Sequence, residues 1–429
     1  MIKSKNLVFF AGHYLLRKGF LLMVLQAARQ PILDREQKLY AYELLFREGD
    51  NNFFGESDGN IATSKLVSAS QFEHTLPDLV AGKPAHINFN LESILKRYPT
   101  MIPADQVVIE VVDIEKPGKR LLEECKALKA AGYKVLLDNY VHQQVWQHFF
   151  PFIEMIKLDL QTSSVEDVRT MVRIKEKFNH IKLIGSKIET QEEFQLVKDA
   201  GFDYFQGYFF AELQPIVKKS VEVNDYSLAE LLFEISNEDL DLKKIINTFQ
   251  ADVNLTYKLL RYSNSALFKR QVEISSIKQA IISLGKEELT KFVTILFAAQ
   301  SSGGKSTELL AMSLLRAKFS EELAIIRAGE QDSAVAFLTG LFSLIDVMLD
   351  EPMQKIIEKL KLTTDVSGAL LLKQGELAQF IAITMSYEKG DWSELEALSE
   401  SLSLKLEDIA GCYRRAINWS DEQISVIAQ

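Results

Sequence analysis

The feature that most narrows the fold is a change of hydrophobic rhythm near residue 225. From Met23 to about Val223 the chain alternates short apolar, β-branched runs with longer stretches whose apolar residues recur at i, i+3 and i+4. That is the pattern of repeated strand–helix units around a parallel sheet. It predicts strands at Ala85–Asn90, Gln106–Val112, Tyr133–Asp138, Phe152–Leu158, Ile181–Ile184 and Tyr204–Phe205, with helices such as Lys119–Ala131 and Val165–Phe178 between them. Gly132 and Gly201 stand just past two such helices, where a C-cap is expected. Six or more units in roughly 200 residues favour a closed (β/α) barrel over an open sheet.

After Asp225 no strand run appears. Ser227–Asn237, Asp241–Gln250, Leu255–Ser263, Ser276–Leu284 and Glu287–Ala299 are helical in period, and proline is absent from Ile216 to Glu351. The class is therefore α/β plus all-α: an N-terminal extension at 1–22, a TIM-like (β/α) barrel at 23–223, and an all-helical bundle at 224–429. At 429 residues and 47% hydrophobic, the chain can bury two cores.

Composition removes several function classes. A formal net charge of -10 argues against a surface that wraps nucleic acid, so partners are expected among proteins and small molecules. Cys125 and Cys412 are the whole cysteine complement, which excludes a disulfide framework and a cysteine zinc site and suits the cytoplasm. The first 22 residues carry four Lys or Arg and no acid, and His13, Tyr14, Arg17 and Lys18 break their apolar run. This makes a poor signal peptide and reads as an extension. No stretch reaches the roughly 18 apolar residues of a membrane span.

One apolar run, Tyr133–Leu137, ends on Asp138, which puts a carboxylate where a buried strand meets solvent, the usual place for barrel chemistry. The segment RQPILDREQKLYAYELLFR (Arg29–Arg47) resembles the opening of an EAL domain, the cyclic di-GMP phosphodiesterase family. Further matches follow in that family's order: NFN at Asn88–Asn90, EVVD at Glu110–Asp113, DN at Asp138–Asn139, KLD at Lys157–Asp159 and QGYFF at Gln206–Phe210. Together they cover residues 29–210.

The resemblance implies that Glu43, Asn88, Glu110 and Asp138 are metal ligands, that Lys157 steadies the attacking water and that Gln206 lines the site. It also marks Gln30, Arg47 and Asp159 as ligand-binding positions. Oxygen donors suit hard cations, and phosphodiester hydrolysis uses two of them about 3.5–4 Å apart.

The departures from the family pattern are specific. The paired Asp-Asp is here Asp138-Asn139, and an amide brings no charge to a second cation. The glycine-containing loop that follows has become Tyr140-Val141-His142-Gln143-Gln144, and the supporting Thr-Glu pair Val112-Asp113. LIGSKIE (Leu183–Glu189) aligns with Ala-Glu-Gly-Val-Glu, so Ser186 stands where the general-base Glu belongs. On these grounds the expectation is a chain that is not an enzyme. Glu43, Lys157, Glu189 and Gln206 are read as vestigial, and catalytic groups as lost at Asn139 and Ser186. No cofactor is expected, and Mg²⁺ or Mn²⁺ would bind at Glu43, Asn88, Glu110 and Asp138 only where nucleotide binding survives.

LLRYSNSALF (Leu259–Phe268) and ISSIKQAIISLG (Ile274–Gly285) resemble the HDOD module, a relative of the HD phosphohydrolases. FLTGLFSLIDVMLD (Phe337–Asp350) falls where an HD enzyme carries Gly-Leu-Leu-His-Asp, and SYEKGDW (Ser386–Trp392) is similar to the helical tail of EAL–HDOD tandem proteins. All six histidines precede residue 181, so the helical half has no imidazole for an HD metal centre.

The leading expectation is a non-catalytic bacterial signalling scaffold that acts through other signalling proteins in cyclic di-GMP pathways, with motility or surface attachment as the implied output. The alternative is a cyclic di-GMP receptor that binds without hydrolysis, and the third reading is a slow metal-dependent phosphodiesterase. The resemblance allows a homodimer.

Overall fold

The computed structural model describes residues 27–48, 51–52, 76–112, 114, 117–209, 228, 231, 235, 241–251, 253–264, 274, 276–301, 307–329, 333–349, 351–360 and 362–427. The expected extension at 1–22, the boundary at 223, Asp113 and Phe210 lie outside the described residues. The chain divides into two compact units, Met1–Glu212 together with Ile383–Gln429, and Leu213–Ala382.

In the first unit the described strands are β1 (Ala27–Leu33), β2 (Leu39–Glu48), β3 (Asn51–Asn52), β4 (Ala85–Phe89), β5 (Val107–Val111), β6 (Lys134–Leu137), β7 (Met155–Asp159), β8 (Lys182–Ile188) and β9 (Tyr204–Gly207). They form one sheet in the order β1-β9-β8-β7-β6-β5-β4-β2-β3, and a further β1–β2 pairing closes it. From β2 through β4 to β9 successive strands run parallel, whereas β1 is antiparallel to both of its neighbours. The TIM-like barrel expected from the alternating rhythm is thus present, closed by a hairpin.

Strand ends shift by a few residues, and one shift has a clear cause. The run at Phe152–Leu158 begins as a strand only at Met155, because Pro151 starts a 3₁₀ turn over Phe150–Phe152. Helices start where the side chains cap them. Ser164 and Thr190 form capping boxes with Asp167 and Glu193, and Asn90 accepts the amide N–H of Ser93.

Alternation along the strands sets the position of the site. Ile32, Ala41, Val108, Leu136, Met155 and Ile184 form a buried apolar floor inside the barrel, with Tyr40 and Tyr204 against it. Residues two apart on a strand share a face. The next inward layer is therefore Glu43, Glu110, Asp138, Lys157 and Ser186, with Gln206 above Tyr204 and, on antiparallel β1, Gln30 above Ile32. A polar layer lies directly on an apolar one.

The second unit is helical throughout its described residues. Its long helix Thr307–Ala328 is buried along most of its length, and Ser333–Phe342 crosses it at Gly340, where a Cβ would stand 2.4 Å from the Arg316 carbonyl oxygen. The helix at Ile277–Ser301 is broken at Gly285, whose φ of 73° separates the two expected helical stretches. Among the described residues no helix is long and apolar enough to cross a membrane.

The floor leads to one expectation. Ile184→Ala removes buried methylene groups under the polar layer and should destabilise the barrel by about 2–5 kcal/mol. An unfolding free energy from urea titration that falls by less than about 1 kcal/mol would contradict this packing.

Candidate active site

The polar layer converges on one ammonium. Lys157 Nζ donates to Glu43 Oε2 at 3.0 Å and to Glu110 Oε2, and Asp138 Oδ1 stands 3.9 Å away. Asn88 Nδ2 donates to Glu43 Oε1 at 3.0 Å, and Gln206 Nε2 donates to Glu43 Oε2 at 2.7 Å. His86 Nδ1 lies 2.7 Å from Glu110 Oε1, with both side chains fully buried. Glu43, Asn88, Glu110, Asp138, Lys157 and Gln206, which the sequence singled out separately, thus meet in one cluster.

The other expected positions lie around or outside it. Gln30 borders the cluster and accepts from Gln206 Nε2 at 3.1 Å. Asp159 accepts instead from Lys187 Nζ at 2.8 Å and from the amide of Gln161. Glu189 is exposed, and its amide N–H donates to Glu193. Arg47 is on β2, with its side chain outside the described residues. Asn139 is exposed with φ 46°, and its N–H donates to Asp138 Oδ1 at 2.8 Å. Ser186 is buried in the polar layer, where its hydroxyl donates to the Leu158 carbonyl at 3.2 Å.

Charge balance decides what this cluster can do. Three carboxylates surround one ammonium, an excess of two negative charges in a buried place. Burial pushes Glu110 up to about 8, with Glu43 adding to the effect against the pull of Lys157. Burial likewise pushes Asp138 up to about 7. For Glu43 burial works the same way, yet Lys157 and the hydrogen bonds from Gln206, Lys157 and Asn88 win, and it stays below the ordinary carboxylate range. Burial and the nearby ammonium lower His86 to about 3, so its ring is neutral. Near neutral pH such a layer takes up either protons or a cation.

The donor set here is of the oxygen type that a hard divalent cation takes. Asn88 Oδ1 is buried without a hydrogen-bond partner, next to Glu43, to which its Nδ2 donates, and across from Glu110 in the β4–β5 ladder. Among the described residues no three carboxylate, imidazole or thiol groups are arranged to hold a metal ion, and the Lys157 ammonium lies between Glu43 and Glu110.

His86 is the member that sequence reasoning missed. It lies two residues before Asn88 on β4, and strand alternation alone was the signal that placed it on the same inward face.

Comparison with known proteins now adds kinship to geometry. The EAL domain family matches residues 83–213 and the HDOD domain family residues 226–391. A Vibrio cholerae protein named cyclic di-GMP phosphodiesterase CdgJ is 32% identical over 397 residues, covering 92% of both chains. The chain belongs to the EAL–HDOD family. A second family member, the uncharacterized Bacillus subtilis protein YuxH, is 32% identical over 91% of this chain and 97% of its own. Among solved structures, a Klebsiella pneumoniae BlrP1 calcium/cy-diGMP complex is 22% identical with a TM-score of 0.36, covering 43% of this chain and 54% of that one.

The expectation of a non-catalytic scaffold, and of a chain that is not an enzyme, is corrected by this kinship. The relative aligned over nearly its whole length carries the name of a phosphodiesterase. Asn139, Ser186 and the altered loop after Asn139 depart together from the family pattern, yet they lie at the edge of the cluster and not at its centre. The layer they border keeps Glu43, Asn88, Glu110, Asp138 and Lys157 together.

The raised carboxyl of Glu110 gives a pH test. The folded state holds a proton there up to about 8 that the unfolded chain releases near its ordinary value of 4.5. Stability from this group is therefore lost as pH rises between those values. In metal-free buffer the stability of the native chain relative to Glu110→Gln should fall by more than about 1.4 kcal/mol between pH 5 and pH 8, roughly one pKa unit of linkage. A difference that stays flat across that range would contradict a raised Glu110.

Proposed function

We propose that this EAL–HDOD protein hydrolyses cyclic di-GMP to linear pGpG at the mouth of its barrel, with Mg²⁺ or Mn²⁺. What supports the reading is the buried layer of three carboxylates around Lys157, taken with full-length kinship to a protein named cyclic di-GMP phosphodiesterase. Glu43, Glu110, Asp138 and Asn88 Oδ1 would hold the cation. Bound there, it would polarise the phosphate and lower the pKa of water.

The remaining roles belong to the chain's own groups. In hydrolysis a water oxygen bonds to phosphorus, one P–O bond to a ribose oxygen breaks, and that oxygen takes up a proton. With Ser186 neutral, the water's proton needs another acceptor. A water held by the cation would be acidic enough to lose its proton to solvent at the barrel mouth near neutral pH. The Lys157 ammonium stands where it can face the charge that develops on the phosphate oxygens. Asn139 contributes no charge, so this chemistry centres on one cation.

The cytoplasm is the inferred location, a compartment in which the buried thiols Cys125 and Cys412 stay reduced. The helical unit is read as the part that meets other signalling proteins, and a homodimer remains part of the proposal.

The full chain incubated with cyclic di-GMP and either metal should yield pGpG by chromatography, and Glu43→Ala should slow the conversion at least about 100-fold. Intact cyclic di-GMP after prolonged incubation at micromolar enzyme would overturn the reading.

A further inference from the structure

Among the described residues β1 pairs with β9 only at Ile32 and Leu33, so along Ala27–Pro31 its ladder is the one with β2. The residues that cover this stretch come from the far end of the chain. The guanidinium of Arg29 is buried and pairs with both carboxylate oxygens of Asp421 at 2.9 and 2.7 Å. It also donates to the Leu79 carbonyl at 3.1 Å and lies 4.5 Å from the centre of the Tyr42 ring, beside Glu43. The Arg29 amide N–H donates to the Tyr413 hydroxyl at 3.4 Å. At Gly390, whose φ is +69°, a Cβ would lie 2.8 Å from Leu45 Cδ1, so this turn rests on β2 two residues beyond Glu43.

A chain of hydrogen bonds runs from this C-terminal segment into the cluster. Gln30 Nε2 donates to the Glu388 carbonyl at 3.1 Å, and Gln30 Oε1 accepts from Gln206 Nε2 at 3.1 Å. The same Gln206 nitrogen donates to Glu43 Oε2 at 2.7 Å. An amide nitrogen has two hydrogens, and here each has an acceptor. The Glu388 carbonyl orients the Gln30 amide, so its oxygen faces Gln206. Gln206 in turn must aim its second hydrogen at Glu43. Gln30 and Glu43 are also cross-strand partners in the β1–β2 ladder.

We infer that the C-terminal segment Ile383–Gln429 positions Glu43, with Gln30 and Gln206 as the positioning residues that connect them. The value of this for catalysis rests on the hydrolytic reading above, whereas the positioning itself does not. Asp421 reaches toward the cluster through Arg29, and the Glu388 carbonyl through Gln30. The EAL barrel is accordingly completed by chain that follows the helical unit in sequence.

The test uses the full chain with Asp421→Ala, the conservative Asp421→Glu, and Gln30→Ala. Two quantities are measured: Mn²⁺ affinity by calorimetry, and hydrogen exchange of residues 39–48 by mass spectrometry. Asp421→Ala and Gln30→Ala should each weaken Mn²⁺ binding about tenfold, as loss of an outer-shell partner does. They should also speed exchange in 39–48, while turnover of Asp421→Ala at saturating Mn²⁺ changes little and Asp421→Glu recovers most of the loss. Gln30→Ala leaves the Arg29–Asp421 pair in place and carries the test if Asp421→Ala does not fold. Native affinity together with native exchange in both alanine variants would overturn the inference. Should the native chain itself bind no Mn²⁺, the hydrolytic reading falls. Exchange then still decides: faster exchange supports positioning of Glu43, and unchanged exchange overturns it.

Discussion

The barrel site depends on one ammonium held among three buried carboxylates. Lys157 reaches Glu43 and Glu110 directly and leaves Asp138 at 3.9 Å, so it offsets part of the negative charge and not all of it. A buried charge without a full partner is costly, and proteins retain such arrangements where a proton or a cation completes them. The neighbours are arranged around that need. Asn88 and Gln206 give their hydrogens to Glu43, and Asn88 keeps a buried oxygen without a partner. The apolar floor of Ile32, Ala41, Val108, Leu136, Met155 and Ile184 closes the cluster from below and keeps it in a low-dielectric setting.

Much of this was legible in the sequence, for definite reasons. Strands buried on both faces read as continuous apolar runs, so β4 to β9 could be placed to within a few residues. Motif order then picked out Glu43, Asn88, Glu110, Asp138, Lys157 and Gln206, and the structure brings these six together. The error lay in treating Asn139 and Ser186 as decisive. A motif comparison registers which side chain is absent, but the charge balance of a buried cluster depends on every group within reach, and those distances are not written in one dimension. His86 went unremarked for a related reason, since a lone histidine in an apolar strand gains meaning only from the Glu110 carboxylate beside it.

The C-terminal helices illustrate a second limit. Trp392–Ser401 and Leu406–Ile427 have the same helical period as the helices before them, so no pattern distinguishes their destination. What does is the pairing of Arg29 with Asp421 and the seating of Gly390 on Leu45, contacts across more than 300 residues of sequence. Both involve the β1–β2 hairpin, the antiparallel part of an otherwise parallel barrel and the part that bears Glu43. A barrel whose Glu43-bearing strand is braced by its own C-terminal segment can have this cluster altered by changes far from it.

The most direct measurement is calorimetry of Mn²⁺ binding to the full chain near pH 7, repeated in buffers of different ionisation enthalpy to count protons released. Three carboxylates around one ammonium, with Glu110 and Asp138 held high by burial, predict saturable binding accompanied by net proton release that declines as pH is raised past about 8. Binding with no proton release, or no binding at millimolar Mn²⁺, would contradict the view that this cluster is built to exchange protons for a cation.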